Sequence, residues 1–197
     1  MHAIVTTDGF VIDSRSYGEA DKVYFIFTRE MGLIKAVAQG IRLEKSKLRY
    51  HVTENELATF SLVRGREVWR LTNAQESESQ KKSTLRVAGY SELIARIALI
   101  LRRVLHGEES NPTLFEYIEE CLVFLQQNHT LTAEHLLTLE SLTVLRILHV
   151  LGYVGDDADL KECLNSSAVT LELLDLLKLK RPILNKHINR AIKESHL

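Results

Sequence analysis

A cluster of basic residues stands out near position 45 of the chain. Within eight residues there are one anion, Glu44, and four cations, which are Arg42, Lys45, Lys47 and Arg49. Closely spaced cations on a loop neutralise consecutive phosphates, and each contact releases condensed counterions. The pattern therefore favours binding to a nucleic-acid backbone, and the alternative is a loop that is charged only because it is solvated.

Further cations and aromatic rings near this cluster would widen such a surface. The additional cations are Arg15, Lys35, Arg64, Arg66 and Arg70. The candidate rings for base stacking are Tyr17, Tyr24, Tyr50, Phe60 and Trp69. Rings in strands are more often core residues, and a place in the barrel core is the favoured interpretation for Phe25, Phe27 and Trp69. A second set of cations, Lys186, Arg190 and Lys193, lies on one face of a predicted helix, as a second basic surface or as a solvated helix face.

The sequence carries none of the common catalytic motifs. It has no nucleophile elbow, no phosphate-binding loop, no dinucleotide fingerprint and no pair of histidines at the spacing of a helical zinc site. Its two cysteines, Cys121 and Cys163, are far apart in the chain, which argues against a disulfide framework and against a structural zinc site. We expect a protein that is not an enzyme, with no catalytic residues, no metal and no cofactor.

Composition and hydropathy indicate an ordinary globular protein. The chain has 197 residues, is 45% hydrophobic and has a formal net charge of -1, so the global charge says nothing about nucleic acid. The first residues lack a positive segment followed by an apolar run, and no window approaches the roughly 18 apolar residues that span a bilayer. We expect a cytoplasmic protein without membrane contact.

The elements that would position the basic cluster are short strands. We predict strands at 2–14, 23–27, 33–38, 57–63 and 67–72, which are rich in β-branched and aromatic residues and separated by turns, several of them marked by glycine. The first strand is expected to bend at Gly9. Five short strands without an intervening long helix predict a small Greek-key barrel of the OB type.

The second part of the chain is predicted to be helical. Residues 76–83 have no apolar member and are predicted to be a linker. Helices are predicted at 84–105, from Pro112 to about 127, from a cap at Thr132 to near Gly152, at 171–180, and at 183–194 after a start at Pro182. The predicted fold class is α+β, with a five-stranded OB-type β-barrel at 1–75, the linker, and an α-helical domain at 84–197.

Four segments of the barrel region, taken together, resemble a known family. They are Tyr17–Lys22, Thr28–Gly32, Lys35–Arg42 and Lys45–Leu48. In this order and at this spacing they are similar to the N-terminal domain of the bacterial RecO recombination mediators. In the helical part, Gly89–Leu93 and Leu151–Tyr153 also lie where that family has similar stretches.

The resemblance implies a non-catalytic activity on DNA. Proteins of the RecO family bind single- and double-stranded DNA, anneal complementary strands, engage single-strand binding protein, pair with RecR and help to load the RecA recombinase during gap repair. Such a role implies a cytoplasmic, nucleoid-associated protein. The basic barrel positions of the family fall on Lys35, Arg42, Lys45 and Lys47.

Two departures from the family pattern are visible in the sequence. Many members insert a four-cysteine zinc module after the Leu151–Tyr153 stretch, whereas residues 154–165 offer only Cys163. We therefore predict a short form without the zinc module. The chain ends at Leu197, earlier than typical relatives, so we also expect a shorter helical domain. A groove for the acidic, apolar tail of single-strand binding protein would need an apolar pocket with basic edges, which the C-terminal helices are suited to supply.

We hypothesise a DNA-binding recombination mediator that binds and anneals single-stranded DNA and assists recombinase loading in recombinational gap repair. Its predicted DNA-binding residues are Lys35, Arg42, Lys45, Lys47, Arg49, Arg15 and Arg66. One alternative is an RNA-binding OB-fold protein, which would prefer RNA through contacts to the 2′-hydroxyl. The other is a helical adaptor that binds proteins and not DNA.

Overall fold

The computed structural model describes residues 3–77, 87, 89–164 and 166–195. The chain divides into two compact units. The barrel unit contains Met1–Lys82 and Leu105–Pro112, and the helical unit contains Ser83–Val104 and Thr113–Leu197. Most of the linker predicted at 76–83 lies outside the described residues.

The barrel unit is built from five strands. These are β1 (Ile4–Tyr17), β2 (Asp21–Thr28), β3 (Gly32–Ala38), β4 (Leu57–Arg64) and β5 (Trp69–Glu76). They close into a barrel in the order β1-β2-β3-β5-β4, in which β4 returns to pair with β1. The β3–β5 pair is parallel, and the other pairs are antiparallel. The predicted OB-type barrel is confirmed.

A β-bulge in the longest strand allows the sheet to close. The first half of β1 pairs with β4, and the second half pairs with β2. Between them the register passes from Val11 opposite Ile26 to Asp13 opposite Phe25, so that Ile12 is an extra residue. A bulge bends a strand and increases its local twist, which lets one strand serve two sides of a barrel. The strand therefore bends at Ile12, three residues after Gly9, where the bend was expected, and the bulge causes it.

The helical unit contains four longer helices and one single-turn helix among the described residues. They are α1 (Tyr90–Val104), α2 (Pro112–Gln127), α3 (Ala133–Val150), α4 (Lys161–Leu164) and α5 (Leu171–Glu194). The predicted start of α2 at Pro112 is confirmed. The predicted cap of α3 is also confirmed, because the Thr132 hydroxyl accepts a hydrogen bond from the His135 N–H. Of the helix predicted at 84–105, residues 84–86 and 88 lie outside the described residues, whereas Val87 and Gly89 are described and are not helical, so α1 begins at Tyr90.

The prediction of two helices around Pro182 is wrong. Helix α5 runs without interruption from Leu171 to Glu194 and includes Pro182. A proline inside a helix removes one backbone hydrogen bond and costs about 3 kcal/mol. The apolar spacing continues across it, since Leu177 and Leu184 are both completely buried on the side of α5 that packs against α3. Burial of this continuous face offsets the local cost.

A buried arginine organises the chain segment before α5. Arg146 on α3 is only 1% exposed. Its guanidinium donates to the carbonyl oxygens of Cys163 and Ser167, both at 2.8 Å, and to those of Ser166 and Ala168. It also lies 5.1 Å from the centre of the Tyr117 ring. Burial lowers the pKa of Arg146, and four carbonyl groups compensate for the water that the cation has lost.

The segment 105–112, which lies between α1 and α2 in sequence, belongs to the barrel unit. The Leu33 N–H donates to the Gly107 carbonyl at 3.1 Å. Both carboxylate oxygens of Glu108 accept from Arg64, at 2.6 and 2.5 Å, and one of them also accepts from the Trp69 ring N–H at 3.2 Å. The segment therefore completes one side of the barrel unit.

Candidate nucleic-acid interface

The basic loop, residues 42–49, is anchored by apolar side chains and displays its lysines. Ile41 and Val52, on either side of the loop, are 2% and 5% exposed and belong to the barrel core, against which Leu48 also packs. Lys45 and Lys47 are exposed, and no ion pair involves either of them within the described residues. A loop held at both ends presents these two charges with little loss of backbone entropy on binding.

A hydrogen-bonded junction ties the basic loop to the β1–β2 turn. The Arg42 N–H donates to the Ala20 carbonyl at 2.9 Å, and its guanidinium donates to the Gly18 carbonyl at 3.1 Å. From the turn side, the Asp21 carboxylate accepts from the Gly40 N–H at 2.7 Å. Arg42 thus has a structural contact of its own, in addition to the charge that the sequence analysis assigned to DNA.

The outer face of the barrel collects three cations, Arg15, Lys35 and Arg70, beside the apolar side chains of Val23, Phe25 and Val37. Phe25 on β2 pairs with Lys35 on β3. A second row of paired residues crosses four neighbouring strands, from Arg15 on β1 through Val23 on β2 and Val37 on β3 to Arg70 on β5. The Arg15 guanidinium lies 5.2 Å from the centre of the Phe25 ring. Because Tyr24, Ile26 and Ala36 point into the core, these rows face outward.

A cleft opens on the same outer face, between the β1–β2 turn and the β4–β5 loop. Its volume is about 560 Å³. It is lined by Tyr17, Asp21, Val37, Gln39 and residues 65–70. In OB folds the outer face of strands 2 and 3 and these two loops form the ligand site. Arg66 and Arg70 supply positive charge here, Asp21 and Glu67 supply negative charge, and Tyr17 offers a ring that is 61% exposed.

We call this cavity the barrel cleft. It shares the β1–β2 turn with the basic loop, since Tyr17 and Asp21 line the cleft while Gly18 and Ala20 bind Arg42. The structure therefore brings the basic loop, Arg66 and the outer face with Arg15 and Lys35 to neighbouring parts of one barrel.

Three of the candidate stacking rings are core residues. Tyr24, Phe60 and Trp69 are 3%, 0% and 7% exposed and belong to the barrel core, so base stacking is wrong for Tyr24 and Phe60, and the core role favoured for Trp69 is confirmed. Each of them lies on the inward-facing side of its strand, where successive side chains alternate between the core and the outer face. Burial, with a smaller contribution from the charge of Glu54, raises the pKa of Tyr24 to about 12. Tyr17 and Tyr50 are the two candidates that remain exposed.

Several of the predicted cations have partners within the protein. Besides Arg42, whose guanidinium binds Gly18, Arg15 forms an ion pair with Asp13 at 3.4 Å. Arg64 donates from one guanidinium nitrogen to both carboxylate oxygens of Glu108 and lies 4.9 Å from the Trp69 ring centre, so part of its charge is balanced within the barrel unit. Arg49 donates to the Tyr50 hydroxyl and lies 4.7 Å from the centre of that ring. The Arg49–Tyr50 pair remains exposed and forms a cationic aromatic surface at the end of the basic loop.

The second basic face lies on α5 in the helical unit. Lys186, Arg190 and Lys193 are all exposed, at spacings of four and three residues that put them on one side of the helix. Arg190 forms an ion pair with Glu194 at 2.8 Å. Because both side chains are exposed, this pair holds Arg190 only weakly.

The helical unit contains an open groove that the sequence did not reveal. It lies between α1, α3 and α5 and has a volume of about 570 Å³. Apolar side chains line it, and Leu99 and Leu137 are 53% and 47% exposed at its edges. Arg103 and Arg181 add positive charge, whereas Arg96 is bound to Glu140 at 2.8 Å. The sequence did not predict this groove, because Leu99 and Leu137 did not differ visibly from the other apolar residues of α1 and α3.

Within the described residues, no group of His, Cys, Asp and Glu side chains is arranged to hold a metal ion. None of the helices described is long and apolar enough to cross a membrane.

Comparison with known proteins links the chain to one group of relatives. Residues 1–80 match the family model described as "Recombination protein O N terminal". The DNA repair protein RecO of Dehalococcoides mccartyi is 27% identical over 161 residues, or 81% of this chain and 59% of the relative. That of Heliobacterium modesticaldum is 31% identical over 149 residues, or 73% of this chain and 50% of the relative. The chain is therefore similar to RecO proteins, with residues 1–80 matching the model of their N-terminal part.

The matched RecO segments differ in extent. The match to the DNA repair protein RecO of Alkaliphilus metalliredigens is 36% identical over 75 residues, or 38% of this chain and 30% of the relative. The family model covers all five strands of the barrel, and the two longer matches extend into the helical unit. The chain thus spans between 30% and 59% of the length of these three relatives.

Several residues of the RecO-like segments hold the turns of the barrel together. Gly18, Asp21, Gly40 and Arg42 form the junction between the β1–β2 turn and the basic loop. Thr28 closes the β2–β3 turn, because its hydroxyl donates to the Gly32 carbonyl at 2.9 Å and accepts from the Met31 N–H at 3.1 Å. The RecO-like segments therefore contribute turns that position the site, as well as its charges.

Proposed function

We propose that this protein is a DNA-binding recombination mediator that binds and anneals single-stranded DNA and assists recombinase loading in recombinational gap repair. The observation that carries the proposal is the junction between the basic loop and the β1–β2 turn. It sets Lys45 and Lys47 on a loop that is tied to the edge of the barrel cleft. Similarity to relatives that are named DNA repair protein RecO supports the same role.

The proposed mechanism is electrostatic and involves no covalent step. Lys45, Lys47 and Arg49 neutralise phosphates of one strand, which lowers its repulsion of a complementary strand. Contacts to phosphates carry no sequence information, so base pairing alone selects the partner strand. We expect binding with little sequence preference and a steep decrease in affinity with salt.

The barrel cleft suits an unpaired strand. Bases of a single strand are free to stack on exposed rings, and such stacking tolerates any base. Tyr17 at the cleft and Tyr50 beside the basic loop are the exposed rings on the barrel unit, each with cationic neighbours in Arg66 and Arg49. A duplex offers phosphates but no free base faces, so we expect weaker binding to duplex than to single strands.

The groove of the helical unit is the proposed site for a protein partner. A short acidic peptide with apolar side chains, such as the tail of single-strand binding protein, would place those side chains over Leu99 and Leu137. Its carboxylates would face Arg103 and Arg181, whose charges no ion pair neutralises in the described part of the chain. RecR and, indirectly, the RecA recombinase are the further proposed partners, and the protein would act at the nucleoid.

Equilibrium binding of a fluorescent single-stranded DNA oligomer, measured by anisotropy, tests the proposal. Replacing Lys45 and Lys47 by Ala spares the structural contacts of Arg42, and we expect it to weaken binding about tenfold at low salt. The matched control replaces Lys186 and Lys193, which removes the same charge from the helical unit and should change affinity less. Unchanged binding in the Lys45/Lys47 variant would contradict the proposed site.

Competitor oligomers separate the alternatives. Stronger competition by a matched RNA than by the DNA would favour an RNA-binding protein. Absence of binding to either nucleic acid at low salt, together with binding of an acidic peptide, would favour the adaptor. Replacing Arg103 by Glu should abolish peptide binding and leave DNA affinity unchanged, which distinguishes the two sites.

A further inference from the structure

Helix α5 has a second, exposed seam at heptad spacing. Its buried seam, which includes Leu174, Leu177 and Leu184, packs against α3. On another side of the same helix, the apolar residues Leu176, Leu179 and Ile183 are 46%, 88% and 39% exposed. Their spacing of three and four residues is that of an interhelical contact. Single exposed leucines are ordinary, whereas three on one stripe are not.

The seam continues at both ends with charges of opposite sign. Glu172 lies four residues before Leu176, in the first turn of the helix. Lys186 and Arg190 follow Ile183 at spacings of three and four residues. The stripe is therefore acidic at its start, apolar in the middle and basic at its end.

From this pattern we infer that α5 is a homodimerisation helix that pairs in antiparallel orientation with α5 of a second copy of this chain. A twofold axis beside residue 181 sets Leu179 of each copy against Ile183 of the other. The same axis brings Glu172 of each copy next to Arg190 of the other, and it covers Leu176 with the aliphatic stem of Lys186. One stripe thus supplies both halves of the contact, as a twofold interface requires.

The charges of the seam are free to form these contacts. No ion pair involves Glu172 or Lys186 within the described residues. Arg190 is paired with Glu194 on its own helix, and both side chains are well exposed. An exposed pair of this kind contributes little, so Arg190 exchanges it at low cost. A parallel pair would instead set like charges together, which disfavours that orientation.

Sedimentation equilibrium of the whole chain, over about 1 to 300 µM protein, tests the inference. The wild-type protein should form a reversible dimer. Replacing Leu179 by Glu should raise the dimer dissociation constant at least about tenfold, because it buries a carboxylate at the centre of the contact. The control is Leu99→Glu, the same change at an exposed leucine on α1, which should leave the dimer intact. Circular dichroism verifies the fold of each variant.

Charge reversal tests the orientation. The single variants Glu172→Arg and Arg190→Glu each create like-charge contacts in an antiparallel dimer and should weaken it, whereas the double variant restores opposite charges and should recover the wild-type constant. A wild-type protein that stays monomeric at all concentrations would overturn the inference, as would an effect of Leu179→Glu no larger than that of Leu99→Glu. A double variant weaker than both single variants would overturn the antiparallel pairing.

Discussion

Replacing Arg146 by Ala should open the segment before α5 locally. The guanidinium binds the carbonyl oxygens of Cys163 and of residues 166–168. Residues 166–168 are exposed, so water reaches their carbonyls when the arginine is gone, whereas Cys163 is completely buried. The loss should therefore be greatest at Cys163.

The size of the effect follows from these contacts. A hydrogen bond to a charged group contributes about 1.5 to 3 kcal/mol. The bond to the buried Cys163 carbonyl is lost with this full contribution. The bonds to the carbonyls of residues 166–168 cost less, because water replaces the arginine there. Removing the cation also removes the cost of burying it, which is the cause of the lowered pKa of Arg146. The net cost is about 3 kcal/mol. At about 1.4 kcal/mol per factor of ten, local opening should become about 100-fold more frequent.

Thiol labelling measures this opening directly. In a Cys121→Ala background, the labelling rate reports on Cys163 and should rise about 100-fold in Arg146→Ala, provided that closing is faster than labelling. In a Cys163→Ala background, the rate reports on Cys121, whose pKa is raised to about 12 by burial within the helical unit. The labelling rate of Cys121 should rise much less than that of Cys163 when Arg146 is replaced by Ala. Arg146→Lys keeps the charge without the fork of donors and should fall between wild type and Arg146→Ala.

Two results would refute this reasoning. An unchanged Cys163 rate in Arg146→Ala would mean that the four hydrogen bonds do not hold the segment closed. Equal acceleration at both cysteines would mean that Arg146 stabilises the helical unit as a whole.

Three further predictions concern stability. Pro182→Ala restores a backbone hydrogen bond within α5 and should stabilise the protein by up to about 3 kcal/mol in urea denaturation. Gly32→Ala should destabilise it by at least about 2 kcal/mol more than Gly18→Ala in the same assay. Both glycines have positive φ, but only at Gly32 would a Cβ overlap a neighbouring backbone. Glu108→Ala should cost about 1 kcal/mol and shift the emission of Trp69, the single tryptophan, because its ring N–H loses its acceptor.

Each of these predictions has a contradicting outcome. Destabilisation by Pro182→Ala would show that α5 needs a bend at this position. Equal effects at the two glycines would show that the backbone near Gly32 yields without cost. Unchanged tryptophan emission in Glu108→Ala would show that the indole finds an equivalent partner.

The barrel could be predicted from the sequence because its signals are local. Runs of β-branched and aromatic residues ended at turns, and the turn residues of the RecO-like segments lay at the strand ends. The direction of each side chain could not be predicted in the same way. The extra residue Ile12 shifts the register of β1, and Tyr24 and Phe60, which were candidate stacking rings, prove to be core rings.

The features missed by the sequence depend on contacts between distant segments. The sequence around Arg146 does not predict that its guanidinium binds four carbonyl groups about 20 residues away. The sequence of 105–112 likewise does not predict that this segment belongs to the barrel unit. Pro182 was misinterpreted because a local helix-breaking rule was weighed above the apolar face on either side of it. Arg42 was identified by its charge, whereas its contacts to the β1–β2 turn appeared only in the structure.

The salt dependence of single-stranded DNA binding tests the central claim most directly. For single strands, log affinity decreases with log salt, and the magnitude of this slope is about 0.7 for each phosphate neutralised. If Lys45 and Lys47 each neutralise one phosphate, replacing both by Ala should reduce the slope by about 1.4. The Lys186/Lys193 control should leave it nearly unchanged. Equal slopes for the wild type and the Lys45/Lys47 variant would contradict the assignment of the basic loop as the DNA site.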